Sequence, residues 1–294
     1  MGDKLNLQRQ SFLGADSEIV LGRSKAALVG IGGGGSHIAQ QLAHIGLGSF
    51  LPIDPDFIED TNLNRLVGAT MEDVKLGIAK VDIAERVIKA VNPAAEVIKR
   101  RANWTEVTSE LRDVDIIFAC VDSISCRSEL EGFARRFLIP LIDIGMDVQE
   151  SSGEFSISGQ VMLSMPGKPC MRCMGLVNDE ALAKEAARYG VAGAKPQVVW
   201  PNGTLASIAV GFFMKLVTPW ETRKETPLLL EYDGDLQTVT QSNKLAYLPA
   251  RCKHFDSLNE LETHFGLPML SQLSSRYTRI QLFNGTGVRR FDLP

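Results

Sequence analysis

The chain has 294 residues, 45% of them hydrophobic and 22% charged, proportions that suit a soluble globular protein with a sizeable core and exclude a largely disordered one. Thirty-one basic against thirty-five acidic residues leave a net charge of −4, which offers no global field for nucleic acid or an anionic membrane. An odd count of five cysteines, a polar start and the absence of a long apolar run argue against a disulfide scaffold, a signal peptide and a membrane span, so a reducing cytoplasm is expected.

The opening segment, 1–24, is polar with scattered apolar positions and predicts a helical arm docked on something larger. Ala26–Ile31 is an apolar run that stops at glycines, as a buried parallel strand does. Gly35–Gly46 has helical spacing, and Ser49–Asp54 is a second strand ending in an acid. Lys75–Val91 predicts a helix closed by Asn92-Pro93, and Glu96–Arg100 a third strand. Val114–Cys120 predicts a fourth strand, about 123–138 a helix, and Pro140–Gly145 a fifth strand. This alternation predicts an α/β fold, Rossmann-like, with a doubly wound and mainly parallel sheet. Thereafter the pattern changes. Phe155–Met165 partly alternates, like a longer antiparallel strand, and Asn178–Tyr189 predicts a short helix. Gly203–Val217 is a helix apolar on nearly every face, which fits a core or a subunit interface. Segments around Gly234 predict C-terminal antiparallel strands, and the C-terminal tail beyond about 255 is weakly patterned.

The chemistry concentrates at the carboxyl ends of the first strands. Gly30, Gly32 and Gly35 form G-x-G-x-x-G between a strand and a helix, with Gly33 and Gly34 inside it. Such a turn lets backbone N–H groups approach phosphate, aided by the partial positive charge of the helix start. Asp54 ends the strand that follows this helix and is placed to accept hydrogen bonds from ribose hydroxyls. A dehydrogenase would share these features. The polar stretch from Asp54 to Arg65, then Lys80 and Asp122, adds two cations for a polyphosphate and a carboxylate for Mg²⁺, which hydride transfer does not need. Taken singly, Arg65 reads as a surface ion pair, Lys80 as a solvated helix residue and Asp122 as a helix cap. The ordered set is what points to phosphate chemistry with a metal.

That set closely resembles the HesA/MoeB/ThiF superfamily, the adenylating fold shared with ubiquitin-activating enzymes. The matching pieces are G-x-G-G-x-G at 30–35, D-x-D and N-L-N-R within 54–65, Lys80, C-V-D at 120–122, P-C-x-x-C at 169–173, Arg9-Gln10 and Tyr232-Asp233. The resemblance implies an ATP-binding adenylation domain over about 25–255, with a C-terminal extension, 256–294, of unassigned role. It implies ATP·Mg²⁺ as cofactor and the C-terminal carboxylate of a ubiquitin-like or sulfur-carrier protein, usually ending in Gly, as the group adenylated. By the same resemblance Asp54 holds the ribose, Asn62 and Arg65 line the triphosphate, Lys80 binds phosphate and Asp122 binds Mg²⁺. Arg9 reaches the site of the other subunit of a homodimer, and a conjugating enzyme is a further partner. The chain departs from the pattern in two places: Lys80 follows Arg65 at a slightly longer spacing than expected, and Leu66 replaces the usual Gln.

The cysteines depart further. The resemblance implies that Cys170 and Cys173 join a second C-x-x-C on a structural Zn²⁺. Cys252 falls where that pair should start, but its partner position is Phe255. His254 is the candidate fourth ligand, in an unusual Cys-x-His spacing; the alternative is an empty site with free thiols. The segment 174–201 holds no cysteine for an enzyme thioester, Cys120 and Cys126 read as packing residues, and so do His37 and His44. Other readings stay open: a peptide carboxylate or a tRNA base as acceptor, or a nucleotide-binding scaffold without activity.

Overall fold

The computed structural model describes residues 5–166, 168–187, 196–221, 227–249 and 252–255; the expected extension 256–294 lies outside them. A 3-10 turn (Gln8–Leu13) and α1 (Ser17–Arg23) precede β1 (Lys25–Val29) and α2 (Gly33–His44). β2 (Ser49–Ile53), α3 (Met71–Leu76), α4 (Lys80–Val91), β3 (Glu96–Val97) and α5 (Thr108–Leu111) follow. Then come β4 (Ile116–Ala119), α6 (Ile124–Arg136), β5 (Leu141–Ser151), β6 (Glu154–Ser164), α7 (Asp179–Ala187), α8 (Val199–Val217), β7 (Leu229–Asp233) and β8 (Thr238–Gln241). The sheet order is β3-β2-β1-β4-β5-β6-β7-β8. The first five strands are parallel and the last three run antiparallel to their neighbours.

The strands are apolar without strict alternation because both faces of the sheet are covered. Ala26, Leu28, Phe118 and Ile142 belong to one core with Ile38 and Leu42 of α2, Ile88 of α4 and Phe213 of α8. Ala27, Val29, Ile117 and Leu141 belong to the other, with Leu130 and Phe133 of α6 and the Met171–Met174 turn. The apolar faces of α8 are thus taken up inside the chain, against α2, β5 and β6.

Three elements differ from expectation. The helix expected over 75–91 is two helices, broken where Gly77 takes φ +60° and its N–H closes α3 onto Asp73 and Val74. A left-handed residue ends a helix by satisfying its last carbonyls. The third strand is in ladder geometry only at Glu96–Val97, yet Ile98 and Arg100 still donate to Phe50 and Pro52 of β2. The fifth strand runs past Gly145 to Ser151 and turns at Ser152-Gly153, φ +55° and +84°, into β6. Two consecutive positive φ values are what a two-residue hairpin turn with the native strand twist requires.

The turn from β1 to α2 is the tightest point of the fold. Gly30 has φ +91°, and a Cβ on Gly35 would lie 1.9 Å from the Gly30 carbonyl oxygen. Around Gly32 nothing lies within 4 Å of such a Cβ. Gly35→Ala is therefore expected to lower the stability by about 3 kcal/mol or more, since backbone cannot yield as a side chain does. Gly32→Ala should unfold in urea as the parent chain does. A Gly35→Ala protein of parental stability would contradict this close-contact account.

Candidate active site

A cavity of about 560 Å³ opens at the carboxyl ends of β1, β2 and β4, beside the middle of β5. Gly30, Gly32, Gly33, Asp54, Asn62, Arg65, Lys80 and Asp122 all line it. Gly35 does not; it serves the turn by lying against Gly30. Arg9 is exposed on the 3-10 segment, and the neighbouring Gln10 amide donates to the Ile45 carbonyl at 3.0 Å. That contact anchors the arm at the C-terminal end of α2, about 18 Å of helix from the glycine turn.

Asp54 is buried at the end of β2. Its Oδ2 accepts the Ile31 N–H at 2.6 Å and its Oδ1 the Asp56 N–H at 2.9 Å. Burial raises its pKa, opposed by Lys80 and these two N–H groups. Lys80, the first residue of α4, places Nζ 2.7 Å from Asp56 Oδ2 and 3.9 Å from Asp54 Oδ1. Its side chain is only 12% exposed, so it is no solvated helix lysine. Asn62 Oδ1 accepts the Glu59 N–H and closes a capping box, which holds the following turn. From that turn Arg65 Nη1 donates to the Thr61 carbonyl at 2.6 Å and to Asn64 Oδ1 at 3.1 Å. Asp122 is not the cap of α6: Ser123 is, its Oγ accepting the Cys126 N–H at 3.1 Å. The Asp122 carboxylate accepts from the Gln197 amide at 3.2 Å.

Sequence reasoning missed several lining residues. Arg127, Gln160, Gln197 and Asn202 face the cavity. Arg127 Nε donates to the Val121 carbonyl and Nη2 to the Ile144 carbonyl, both at 3.1 Å, while Nη1 lies 3.4 Å from Asp143 Oδ2. One guanidinium thereby joins the segment after β4 to the inner half of β5. Asn202 packs against Gly33, where any Cβ would meet its amide at 2.6 Å. The only sequence signals were a basic residue shortly after Asp122 and polar breaks beside an apolar helix, each ordinary on a surface. Cys120 and Cys126 also line the cavity, and burial raises both thiols above their ordinary pKa. His37 packs against Gly203 of α8.

The second cluster lies at the other end of α6. Cys170, Cys173, Cys252 and His254 bring their ligand atoms within 4.8 Å of one another. Cys170 Sγ and Cys173 Sγ are 3.7 Å apart, and His254 Nδ1 is 3.4 Å from each. Cys252 Sγ lies 3.9 Å from the same nitrogen. A tetrahedral Zn²⁺, with Zn–S about 2.3 Å and Zn–N about 2.0 Å, sets S···S near ~3.8 Å and S···N near ~3.5 Å. The four donors fit that ion, and the unusual Cys-x-His spacing is no obstacle to it.

Comparison with known proteins follows the same lines. The family model described as the ThiF family matches residues 5–253. The chain is 28% identical over 197 residues to the SAMP-activating enzyme E1 of Haloferax volcanii, covering 66% of this chain and 67% of that protein. It is 28% identical over 214 residues to the ubiquitin-like modifier-activating enzyme 5 of Rattus norvegicus, covering 67% of this chain but only 50% of that enzyme's length. Among solved structures, E. coli MccB superposes with a TM-score of 0.66 at 21% identity, over 81% of this chain and 67% of that one. At that identity the likeness speaks for the fold alone. No helix among the described residues is long and apolar enough to cross a membrane.

Asp143, fully buried beneath Arg127, has its pKa pushed up to about 6 by burial. An unfolded chain gives up this proton near pH 4, while the folded one keeps it to about pH 6. Relative to Asp143→Asn, the parent protein is therefore expected to lose about 3 kcal/mol of stability as pH rises from 4 to 7, with no further loss above. Urea unfolding of both proteins across that range measures it; parallel profiles would contradict the assignment.

Proposed function

The chain belongs to the ThiF family, and on that premise we propose that it is an ATP-dependent adenylyltransferase. It activates the C-terminal carboxylate of a ubiquitin-like or sulfur-carrier protein and releases pyrophosphate. The observation that carries this reading is the convergence of Arg65, Lys80 and Asp122 on the cavity beside the glycine turn. The names of the relatives at 28% identity, activating enzymes for ubiquitin-like or SAMP modifiers, favour this acceptor class.

In this reading the phosphates lie against the N-terminal turn of α2, where Gly32, Gly33 and Gly34 line the cavity. Asp54 holds the ribose. Arg65 and Lys80 hold the triphosphate, with Asn62 fixing the turn that carries Arg65. Mg²⁺ bound at Asp122 supplies neutralisation of phosphate charge. An oxygen of the acceptor carboxylate bonds to the α-phosphorus, the bond from that phosphorus to the bridging oxygen breaks, and pyrophosphate leaves with the electron pair. A carboxylate is already a nucleophile, so no proton has to move. The residues act by positioning and electrostatic clamping. Cys170, Cys173, Cys252 and His254 hold a structural Zn²⁺ that joins the segment after β8 to the α/β core. Arg9, remote from the cavity of its own chain, completes the site of a second subunit in a homodimer. A conjugating enzyme in the cytoplasm is the natural recipient of the activated carrier.

ATP–pyrophosphate exchange with a panel of small carriers ending in Gly tests the proposal. Asp122→Ala should lower exchange at least about a hundredfold if its metal contact acts mainly in the transition state, with the melting temperature unchanged. Near-parental exchange by that variant would remove Asp122, and with it this reading, from the chemistry.

A further inference from the structure

The C-terminal half of α6 buries three charged residues, Glu131, Arg135 and Arg136, at 2%, 5% and 3% exposure, although charged helix residues ordinarily face water. Glu131 and Arg135 act together. Their partners explain the burial. Arg135 Nη1 donates to the Lys168 carbonyl at 2.8 Å and Nη2 to the Pro169 carbonyl at 2.9 Å, the two carbonyls immediately before Cys170. Its guanidinium carbon lies 5.5 Å from the centroid of the Phe255 ring, immediately after His254. Its Nε donates to Ser164 Oγ at 2.8 Å, and Ser164 in turn donates to Glu131 Oε1 at 2.5 Å. Glu131 Oε1 also accepts the Met171 N–H at 3.0 Å and lies 3.7 Å from Arg135 Nη2. One buried cation therefore grips both segments that bring the thiols and the imidazole together.

We infer that Arg135, oriented by Glu131 and Ser164, is the positioning residue of the Cys170–Cys173–Cys252–His254 metal centre, clasping its two halves at Lys168–Pro169 and Phe255. The inference rests on the reading of that cluster as a zinc site. A planar guanidinium suits the task because its donors diverge to two carbonyls while its face stays open to a ring. Groups outside the ligand shell that orient metal ligands typically change affinity by about 10- to 100-fold when removed. The contact is also directional. Without Arg135 the carbonyls of 168 and 169 lose their donors and Glu131, which holds the Met171 N–H, loses its guanidinium partner, so the turn that carries Cys170 and Cys173 loses its anchorage.

The full chain, stripped of metal, is titrated with Zn²⁺ against a chelating indicator, and with Co²⁺ to read the tetrahedral d–d absorption. The parent should bind one ion. Arg135→Met should bind about 10- to 100-fold more weakly, with an altered Co²⁺ spectrum. Arg135→Lys, which keeps the charge but cannot serve both carbonyls, should fall between them. Phe255→Ala removes only the ring and should cost about two- to fivefold in affinity, while its metal-free melting temperature matches the metal-free parent. That variant decides the matter if Arg135→Met does not fold. Parental affinity and spectrum in the folded variants would overturn the inference and leave the zinc site standing. A parent chain that binds neither ion would overturn the zinc site and this inference with it.

Discussion

Where α2 leaves β1, backbone touches backbone. Gly30 lies so near the Cys120 carbonyl that a Cβ would be 2.5 Å from it, and Gly35 lies against Gly30 itself. This crossing without side chains brings the ends of β1 and β4 together and aims the first turn of α2 at the space between them. The Asp54 carboxylate then fastens the end of β2 to the same turn through the Ile31 N–H. Gly30, Asp54 and Asp122 of the cavity lining hang from these three strand ends, and the crossing that two glycines permit sets their spacing.

Helix α6 extends the arrangement to the far side. Asp122, the Ser123 cap and Arg127, which joins the segment after β4 to β5, stand at its start. About 10 to 17 Å along the axis from that start, Glu131 and Arg135 meet the Cys170–Cys173 turn. Leu130 and Phe133 pack into the core, while these charged residues tie the helix to strand ends and to the thiol turn. Burying Asp143, Glu131, Arg127 and Arg135 is costly unless each charge is matched, and here each acid faces a guanidinium group.

Much of this was legible in the sequence. Apolar runs that stop at glycine, followed by helical spacing, gave the order of strands and helices, and Asp54, Arg65, Lys80 and Asp122 do converge on one cavity. Cys252 and His254 were also legible, since ligand chemistry is carried by residue type whatever the spacing. What was not legible depends on tertiary context. Gly77 ends a helix only because its left-handed conformation suits the neighbouring turn. The outer half of β5, past Gly145, is largely exposed and therefore lacks the apolar signal that marks a buried strand, whereas its partner β6 was legible. Arg127, Glu131 and Arg135 look like a solvated helix face, because a sequence pattern does not show that their partners come from β5, β6 and the thiol turn. The apolar α8 illustrates the converse: its pattern announced burial, and the fold supplies it from α2 and the sheet within one chain.

The charge balance of the cavity separates the two nucleotide classes that share a glycine turn. Among the described residues its lining carries four carboxylates, Asp54, Asp56, Asp122 and Asp147, and three cations, Arg65, Lys80 and Arg127. Lys80 is already held between two of the acids. A bare triphosphate, with about four negative charges, meets net repulsion there and needs a divalent ion to offset it; a dinucleotide with two phosphates has no such need. Calorimetric titration with ATP, with and without Mg²⁺, and with NAD⁺ is the most direct measurement. The account requires binding of ATP that depends on Mg²⁺ and no binding of NAD⁺. Tight NAD⁺ binding, indifferent to Mg²⁺ and unaccompanied by ATP binding, would contradict it.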